Sequence, residues 1–242
     1  MTVELKWDRL KALLSTMGSA VLAYSGGVDS SVVLRAASEV KAFPFIAVTA
    51  VSETYPAGEL EPAQEFARSL GATHQILHTG ELSSEAFLRN SPDRCYYCKR
   101  ELFGKLSHIA EQEGIPFVLD GSNADDLSDH RPGRRAALEF SVRSPLVEAG
   151  FSKADVRELA RSLGLPVWDK PSLACLSSRI PYGTRITPEI LQTVQTAEDL
   201  LHAFGFRQVR VVTTGPRRGS RWIVMNLGCC FLTVSPKKSP HR

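Results

Sequence analysis

Three groups of residues in this chain have types and spacings that can do chemistry. The first is Ser25-Gly26-Gly27-Val28-Asp29-Ser30-Ser31. Its two glycines let the backbone turn tightly and bring N–H groups close to a ligand. With the start of a following helix, those N–H groups make a cradle for anionic oxygens. Ser25, Ser30 and Ser31 add hydroxyl donors, and Asp29 can orient the loop or hold Mg²⁺, which takes carboxylate together with phosphate oxygens. The second group is Asp120-Gly121-Ser122-Asn123-Ala124-Asp125-Asp126, where Asp125 or Asp126 is the candidate Mg²⁺ contact. The third is the cysteines. Cys175 stands between Lys170 and Arg179, whose charges favour the nucleophilic thiolate. Cys95 and Cys98 form a Cys-Tyr-Tyr-Cys pair, a spacing that is redox-active, metal-binding or incidental. Two thiols are too few for a structural zinc site without other ligands. With Cys175 they make three, enough to hold an iron–sulfur cluster with one iron left open. Cys229 and Cys230, adjacent in an apolar tail, read as non-functional.

The elements around these residues set where they sit. Ser19–Tyr24 and Phe45–Val51 are short apolar runs that predict buried strands. Thr73–His78 and Phe117–Asp120 are two further strand candidates. Helical spacing covers the N-terminal stretch, Ser30–Val40, Glu59–Leu70 and Tyr97–Glu113. Ser152 with Asp155 predicts a capping box for a helix ending near Leu163. Thr187-Pro188-Glu189 predicts another helix start, running to about Phe204, with a strand over Phe206–Val212. Strands alternating with helices imply a parallel sheet with helices on both faces. The glycine turn then follows the first strand. The acidic turn lies at the carboxyl end of the fourth, the edge where open α/β sheets bind ligands. Trp168–Gly183, rich in Pro, Ser and Gly, reads as a loop. The expected division is a main domain over 1–180 and a small C-terminal region over 181–242.

Composition narrows the class. The chain has 242 residues, 43% of them hydrophobic and 23% charged, ordinary for a globular protein. The N-terminal stretch carries charges throughout and shows no apolar signal core, so a cytoplasmic location is expected. No apolar run approaches the roughly 20 residues of a membrane span. Five cysteines in a chain of this length point to free, catalytic or metal-bound thiols rather than disulfides. Charge is uneven: residues 1–199 hold 21 Lys and Arg against 26 Asp and Glu, whereas 200–242 hold eight Lys and Arg and no acid.

The glycine loop lacks the Gly-Lys-Ser/Thr of the Walker loop and the three spaced glycines of dinucleotide-binding folds. It resembles the SGGxDS signature of PP-loop pyrophosphatases, which adenylate a substrate with ATP and release pyrophosphate. Together with Asp93–Lys99, DRCYYCK, and WDKPSLACLSSRIPYG over 168–183, it resembles the LarE-type ATP-dependent sulfur transferases across about residues 1–211. That resemblance implies ATP with Mg²⁺ and a pyridinium dicarboxylate mononucleotide as substrate. It further implies a thiocarboxylate product on the way to the nickel-pincer nucleotide of lactate racemase, and a homo-oligomer. Cys175 matches the cysteine that, in the sacrificial version, attacks the acyl-adenylate and loses its sulfur to leave dehydroalanine. Cys95, Cys98 and Cys175 match the other version, in which three cysteines hold a [4Fe-4S] cluster. Ser178 and Arg179 become candidates for the substrate phosphate, since Arg suits that geometry.

From 213 the chain departs from the family: 30 residues carry six Lys and Arg and no acid. The expectation here is a shifted reading frame, with the family's small domain missing or altered and the ATP site, upstream, intact. Two other enzyme readings and one non-enzymatic reading stand beside sulfur transfer. Thiolation of tRNA needs a basic footprint that the acidic body does not supply. An amide-forming synthetase of the NAD synthetase type would not need Cys175. A nucleotide-binding regulator would bind ATP without releasing pyrophosphate.

Overall fold

The computed structural model describes residues 1–127, 132–172, 174–206, 209–213, 222–226 and 231–234, the last two as backbone. Helices and strands alternate along the first two thirds of the chain. α1 spans Val3–Met17, β1 Ala20–Ala23, α2 Val28–Glu39, β2 Phe45–Val51, α3 Leu60–Ser69 and β3 Thr73–His78. Then come α4 Glu85–Leu88, α5 Arg94–Gln112, β4 Val118–Leu119, α6 Pro132–Glu139, α7 Pro145–Ala149 and α8 Lys153–Ser162. The chain continues with α9 Pro188–Ala203, β5 Val209–Thr213, β6 Trp222–Asn226 and β7 Phe231–Val234.

Two compact units result. The first comprises 1–52, 58–79 and 95–173, the second 53–57, 80–94 and 174–242. The division thus falls at 173/174 rather than at 180, and the second unit also takes two segments from the middle of the chain. Sequence order alone does not show those insertions, because nothing in local periodicity says which distant segment a strand or turn packs on.

The first unit is a parallel sheet in the order β3-β2-β1-β4. β1 pairs with β2 from Ala20 opposite Phe45 to Ala23 opposite Val48, and with β4 at Val21 opposite Val118. Successive strand residues point to opposite faces, and the core divides accordingly. Ala20, Leu22, Ala47 and Leu119 pack on one side with Leu10, Leu34, Leu146 and Leu159 from α1, α2, α7 and α8. Val21, Val48 and Val118 pack on the other with Phe103 and Leu106 of α5 and Ala136 of α6. The expected sheet with helices on both faces is therefore the observed one. Each buried Leu or Phe contributes about 1.5–3 kcal/mol by leaving water.

The strand order places the ligand edge. β1, β2 and β3 grow the sheet in one direction, and β4 returns to the other side of β1. The carboxyl ends of β1 and β4 thus flank a topological switch point, where open α/β sheets hold their ligands. Ser25–Ser31 follows β1 and Asp120–Asp126 follows β4.

Capping follows sequence expectation. Ser152 and Asp155 form a reciprocal capping box on α8, and the Thr187 hydroxyl accepts from Ile190 N at the start of α9. Three helices lie where no helix was expected. α4 and α7 are only four and five residues long, and α6 opens on Pro132-Gly133, a pair that usually breaks helices.

In the second unit α9 buries Leu191, Val194 and Glu198, one face at helical spacing. The segment read as a loop over 168–183 contains a 3-10 turn, Leu176–Arg179, with Leu176, Ser177 and Arg179 buried. β5, β6 and β7 form an antiparallel sheet, Val209 opposite Asn226 and Trp222 opposite Val234. Backbone pairing therefore continues past 213, where family likeness in the sequence stops. The six basic residues of that tail lie outside the described residues, as do Cys229 and Cys230. No helix among the described residues is long and apolar enough to cross a membrane.

Candidate functional site

The glycine loop is held closed by its own hydroxyls. Ser25 N donates to Ser30 Oγ at 3.3 Å, Ser30 Oγ donates to Gly27 O at 3.1 Å, and Gly27 N donates to Ser25 Oγ at 3.4 Å. Gly26 has φ +73°, and a Cβ there would meet Ala63 Cβ of α3 at 2.9 Å. Both conformation and space demand glycine. Gly27 is the N-cap of α2 and offers no side chain to the first-turn N–H groups. Those orphan donors and the positive end of the helix dipole are what an anion meets there. Lys170 steadies the loop from behind: its Nζ donates to Gly26 O at 3.3 Å and forms an ion pair with Glu59. The ammonium is thus committed inside the first unit.

The second acidic turn meets the loop directly. A Cβ on Gly121 would stand 2.8 Å from Ser30 N and 3.0 Å from Ser30 Cα, so the backbone after β4 lies flat against the start of α2. Asn123 Nδ2 donates to Asp29 Oδ1 at 3.1 Å, and the other Asp29 oxygen is paired with Lys153 Nζ. Asp125 Oδ2 accepts from Lys153 N at 2.9 Å, and Asp126 Oδ2 accepts from Asn123 N at 3.0 Å. Asp120 is buried and does not face a ligand edge. Its oxygens accept from Ser122 Oγ and Ser144 Oγ, both at 2.7 Å. The structure therefore brings Ser25, Gly26, Gly27, Asp29, Ser30 and the Asp125–Asp126 turn to one edge. Ser31, also predicted, is fully buried beneath the loop.

Gly121, Asn123 and Lys153 complete this edge and were not singled out from sequence. Gly121 and Asn123 carried a signal, since they lie inside a turn already marked by its acids. Lys153 carried none; it follows an N-cap Ser and looks like any solvated lysine.

Burial pushes the Tyr24 hydroxyl, at the end of β1, up to about 12, and that hydroxyl donates to Ala63 O at 3.3 Å. Burial also lowers His74 from its ordinary value, and Thr49 Oγ1 lies 2.8 Å from His74 Nε2. Because Thr49 donates its one hydroxyl proton to Tyr24 O at 2.7 Å, His74 Nε2 is the donor in that pair.

The second unit carries Cys175. Its half-buried Sγ lies 3.1 Å from the Ser177 hydroxyl, and it begins the 3-10 turn Leu176–Arg179. Arg179 is buried. Its Nε and Nη2 pair with the Glu198 carboxylate at 2.9 and 3.0 Å, and Nη1 donates to Ala174 O at 2.6 Å and to Cys175 O at 3.2 Å. The same nitrogen donates to the exposed Ser178 hydroxyl at 3.1 Å. Glu198 Oε1 also accepts from Val211 N at 3.0 Å, tying α9 to β5. The guanidinium thus frames the backbone around Cys175, and of the two residues expected at a phosphate only Ser178 is exposed.

Cys95 and Cys98 stand three apart near the start of α5 in the first unit. Among the described residues no group of three or more His, Cys, Asp or Glu is gathered to hold a metal ion. Mg²⁺ needs no such cage, because it binds through one or two carboxylates plus the phosphates it arrives with.

Comparison with known proteins fits this architecture. The Asparagine synthase family model matches residues 18–164. The chain is 45% identical over 209 residues to an uncharacterized protein of Synechocystis sp., covering 86% of this chain and 78% of that one. It is 40% identical over 211 residues to the pyridinium-3,5-bisthiocarboxylic acid mononucleotide synthase of Lactiplantibacillus plantarum, covering 87% of this chain and 76% of that one. NMN synthetase from Francisella tularensis shares the fold, with a TM-score of 0.54 at 21% identity over 71% of this chain and 76% of its own.

Proposed function

The chain belongs to the LarE-type family of pyridinium-3,5-bisthiocarboxylic acid mononucleotide synthases, and from that premise we propose that it is an ATP-dependent sulfur transferase acting on a pyridinium dicarboxylate mononucleotide. One observation carries the reading. A glycine loop shaped for phosphates sits at the switch point of the sheet, in a chain 40% identical over 211 residues to an enzyme whose named product is a bisthiocarboxylic acid.

In this reading the N–H groups of the loop, with Ser25 and Ser30, hold the ATP phosphates. Asp29, with Asp125 or Asp126, faces the Mg²⁺ that accompanies them. A substrate carboxylate attacks the α-phosphorus, forming an acyl-adenylate and expelling pyrophosphate. The Cys175 thiolate then adds to the acyl carbon and expels AMP, giving a thioester. Removal of the Cα proton of Cys175 breaks its Cβ–S bond; the thiocarboxylate leaves with the sulfur and dehydroalanine stays in the chain. Ser178 is the proposed substrate-phosphate donor, with Arg179 holding it in place. The enzyme works as a cytoplasmic homo-oligomer.

The test is to purify the protein anaerobically and supply ATP, Mg²⁺ and the dicarboxylate nucleotide. Intact and peptide mass spectra are then taken before and after. The expected result is thiolated product together with loss of one H₂S from the peptide bearing Cys175. Thiolated product with that peptide unchanged would move the sulfur source away from Cys175, with Cys95 and Cys98 the next residues to replace. Neither pyrophosphate nor product would overturn the reading.

A further inference from the structure

The segment before α5 has no part in the chemistry above, yet it grips the Cys175 turn at several points. Asn90 is fully buried. Its Nδ2 lies 3.2 Å from Ile180 O, 2.8 Å from Pro181 O and 2.9 Å from Thr184 O. Its own carbonyl accepts from Gly183 N at 3.0 Å, and Leu88 O accepts from Ile186 N at 2.9 Å. Arg94, 5% exposed, donates from Nη1 to Asn90 Oδ1 at 2.5 Å and to Ser177 O at 2.9 Å. Its guanidinium also lies 5.2 Å from the centre of the Tyr182 ring. Two side chains thus hold four carbonyls within and just after the turn that begins at Cys175. Ser177, held through its carbonyl, presents its hydroxyl to the Cys175 sulfur.

Two features are costly unless something else is gained. Asn90 has φ +52°, a left-handed conformation that non-glycine residues rarely adopt and Asn tolerates best. Arg94 Nε is buried and finds no hydrogen-bond partner among the described residues, an arrangement that opposes stability. An apolar residue at 94 would avoid that desolvation but could not reach Ser177 O. We infer that Asn90 and Arg94 are positioning residues for sulfur transfer: they clasp the 175–184 turn so that the Cys175 thiol is held where the activated carboxyl must meet it. A displacement of about 1 Å at a reacting group costs on the order of 100-fold in rate, so holding this turn matters even though neither side chain touches the sulfur.

The inference rests on the proposed sulfur transfer, and one set of measurements separates the two. Asn90→Gly keeps the left-handed backbone and removes only the side-chain clasp; Arg94→Lys keeps the charge and loses the planar fork. Three readouts are taken on wild type and both variants. They are pyrophosphate release at saturating nucleotide, thiolated product formed, and the rate at which iodoacetamide alkylates Cys175 in the substrate-free protein. The expected result is unchanged pyrophosphate release, product formation down on the order of 100-fold, and faster alkylation of Cys175. Unchanged product formation or unchanged alkylation overturns the inference. So does a loss of pyrophosphate release in step with product in both variants, since the clasp would then hold the fold and not the thiol. Wild type that makes no thiolated product sinks the proposed function instead, while the alkylation rates still decide whether the clasp holds the thiol.

Discussion

Two side chains in the second unit answer different questions when changed. Cys175 bears the sulfur in the proposed chemistry, and replacing it with Ser leaves a hydroxyl with no transferable sulfur. Cys175→Ser should retain pyrophosphate release and lose the thiolated product altogether, read by phosphate-coupled assay and mass spectrometry. Glu198 instead neutralises a buried guanidinium in a two-point pair with Arg179 and accepts from Val211 N. Removing one partner of a buried pair leaves the other charged and unpaired, which costs about 3–5 kcal/mol. Glu198→Ala should lower the unfolding free energy by that amount, read from urea melts. The double change Arg179→Ala with Glu198→Ala should cost less than the two single changes added together, because the pair is lost only once.

The loop after β1 and the turn after β4 work as elements only because they touch. Gly121 lies against the first turn of α2 with no room for a methyl group, its Cβ position being 2.8 Å from Ser30 N. Gly121→Ala must push one element off the other. The expected cost is about 1–3 kcal/mol of stability, together with weaker ATP binding by calorimetry, because the N–H groups of the loop are displaced. Gly58→Ala is the matched control, since a Cβ there meets nothing within 4 Å; it should leave both quantities alone.

Two ionisable groups bracket the stability of the whole molecule. Burial would raise the Asp155 carboxyl, but hydrogen bonds from Lys6 and Ser152 outweigh it and hold the group at about 2 against an ordinary 3.8. The unfolded chain therefore takes up this proton first, and stability present above 3.8 is lost as pH falls towards about 2. Tyr24 works in the opposite range: buried and un-ionised in the fold up to about 12, it ionises near 10.0 when unfolded. Stability should fall as pH rises from 10.0 towards about 12. Thermal melts followed by circular dichroism across pH should show both limbs. Asp155→Asn should flatten the acid limb and Tyr24→Phe the alkaline one.

Sequence alone was enough for the parts of this protein that depend on neighbours along the chain. β2 and β3 lie at Phe45–Val51 and Thr73–His78 as read, because each is a run of strand-forming residues ended by turn formers. The capping box at Ser152 and the glycine loop before α2 were legible for the same reason: their interactions span only a few residues. Tertiary structure decided the rest. The order β3-β2-β1-β4 brings the loop after β1 and the turn after β4 to one edge, although almost a hundred positions separate them. Lys153 joins Asp29 across a separation of 124 residues, and no local pattern encodes that approach. Arg179 looked from sequence like a free phosphate ligand. Only the return of α9 and β5 beside it, bringing Glu198, turned its charge inward.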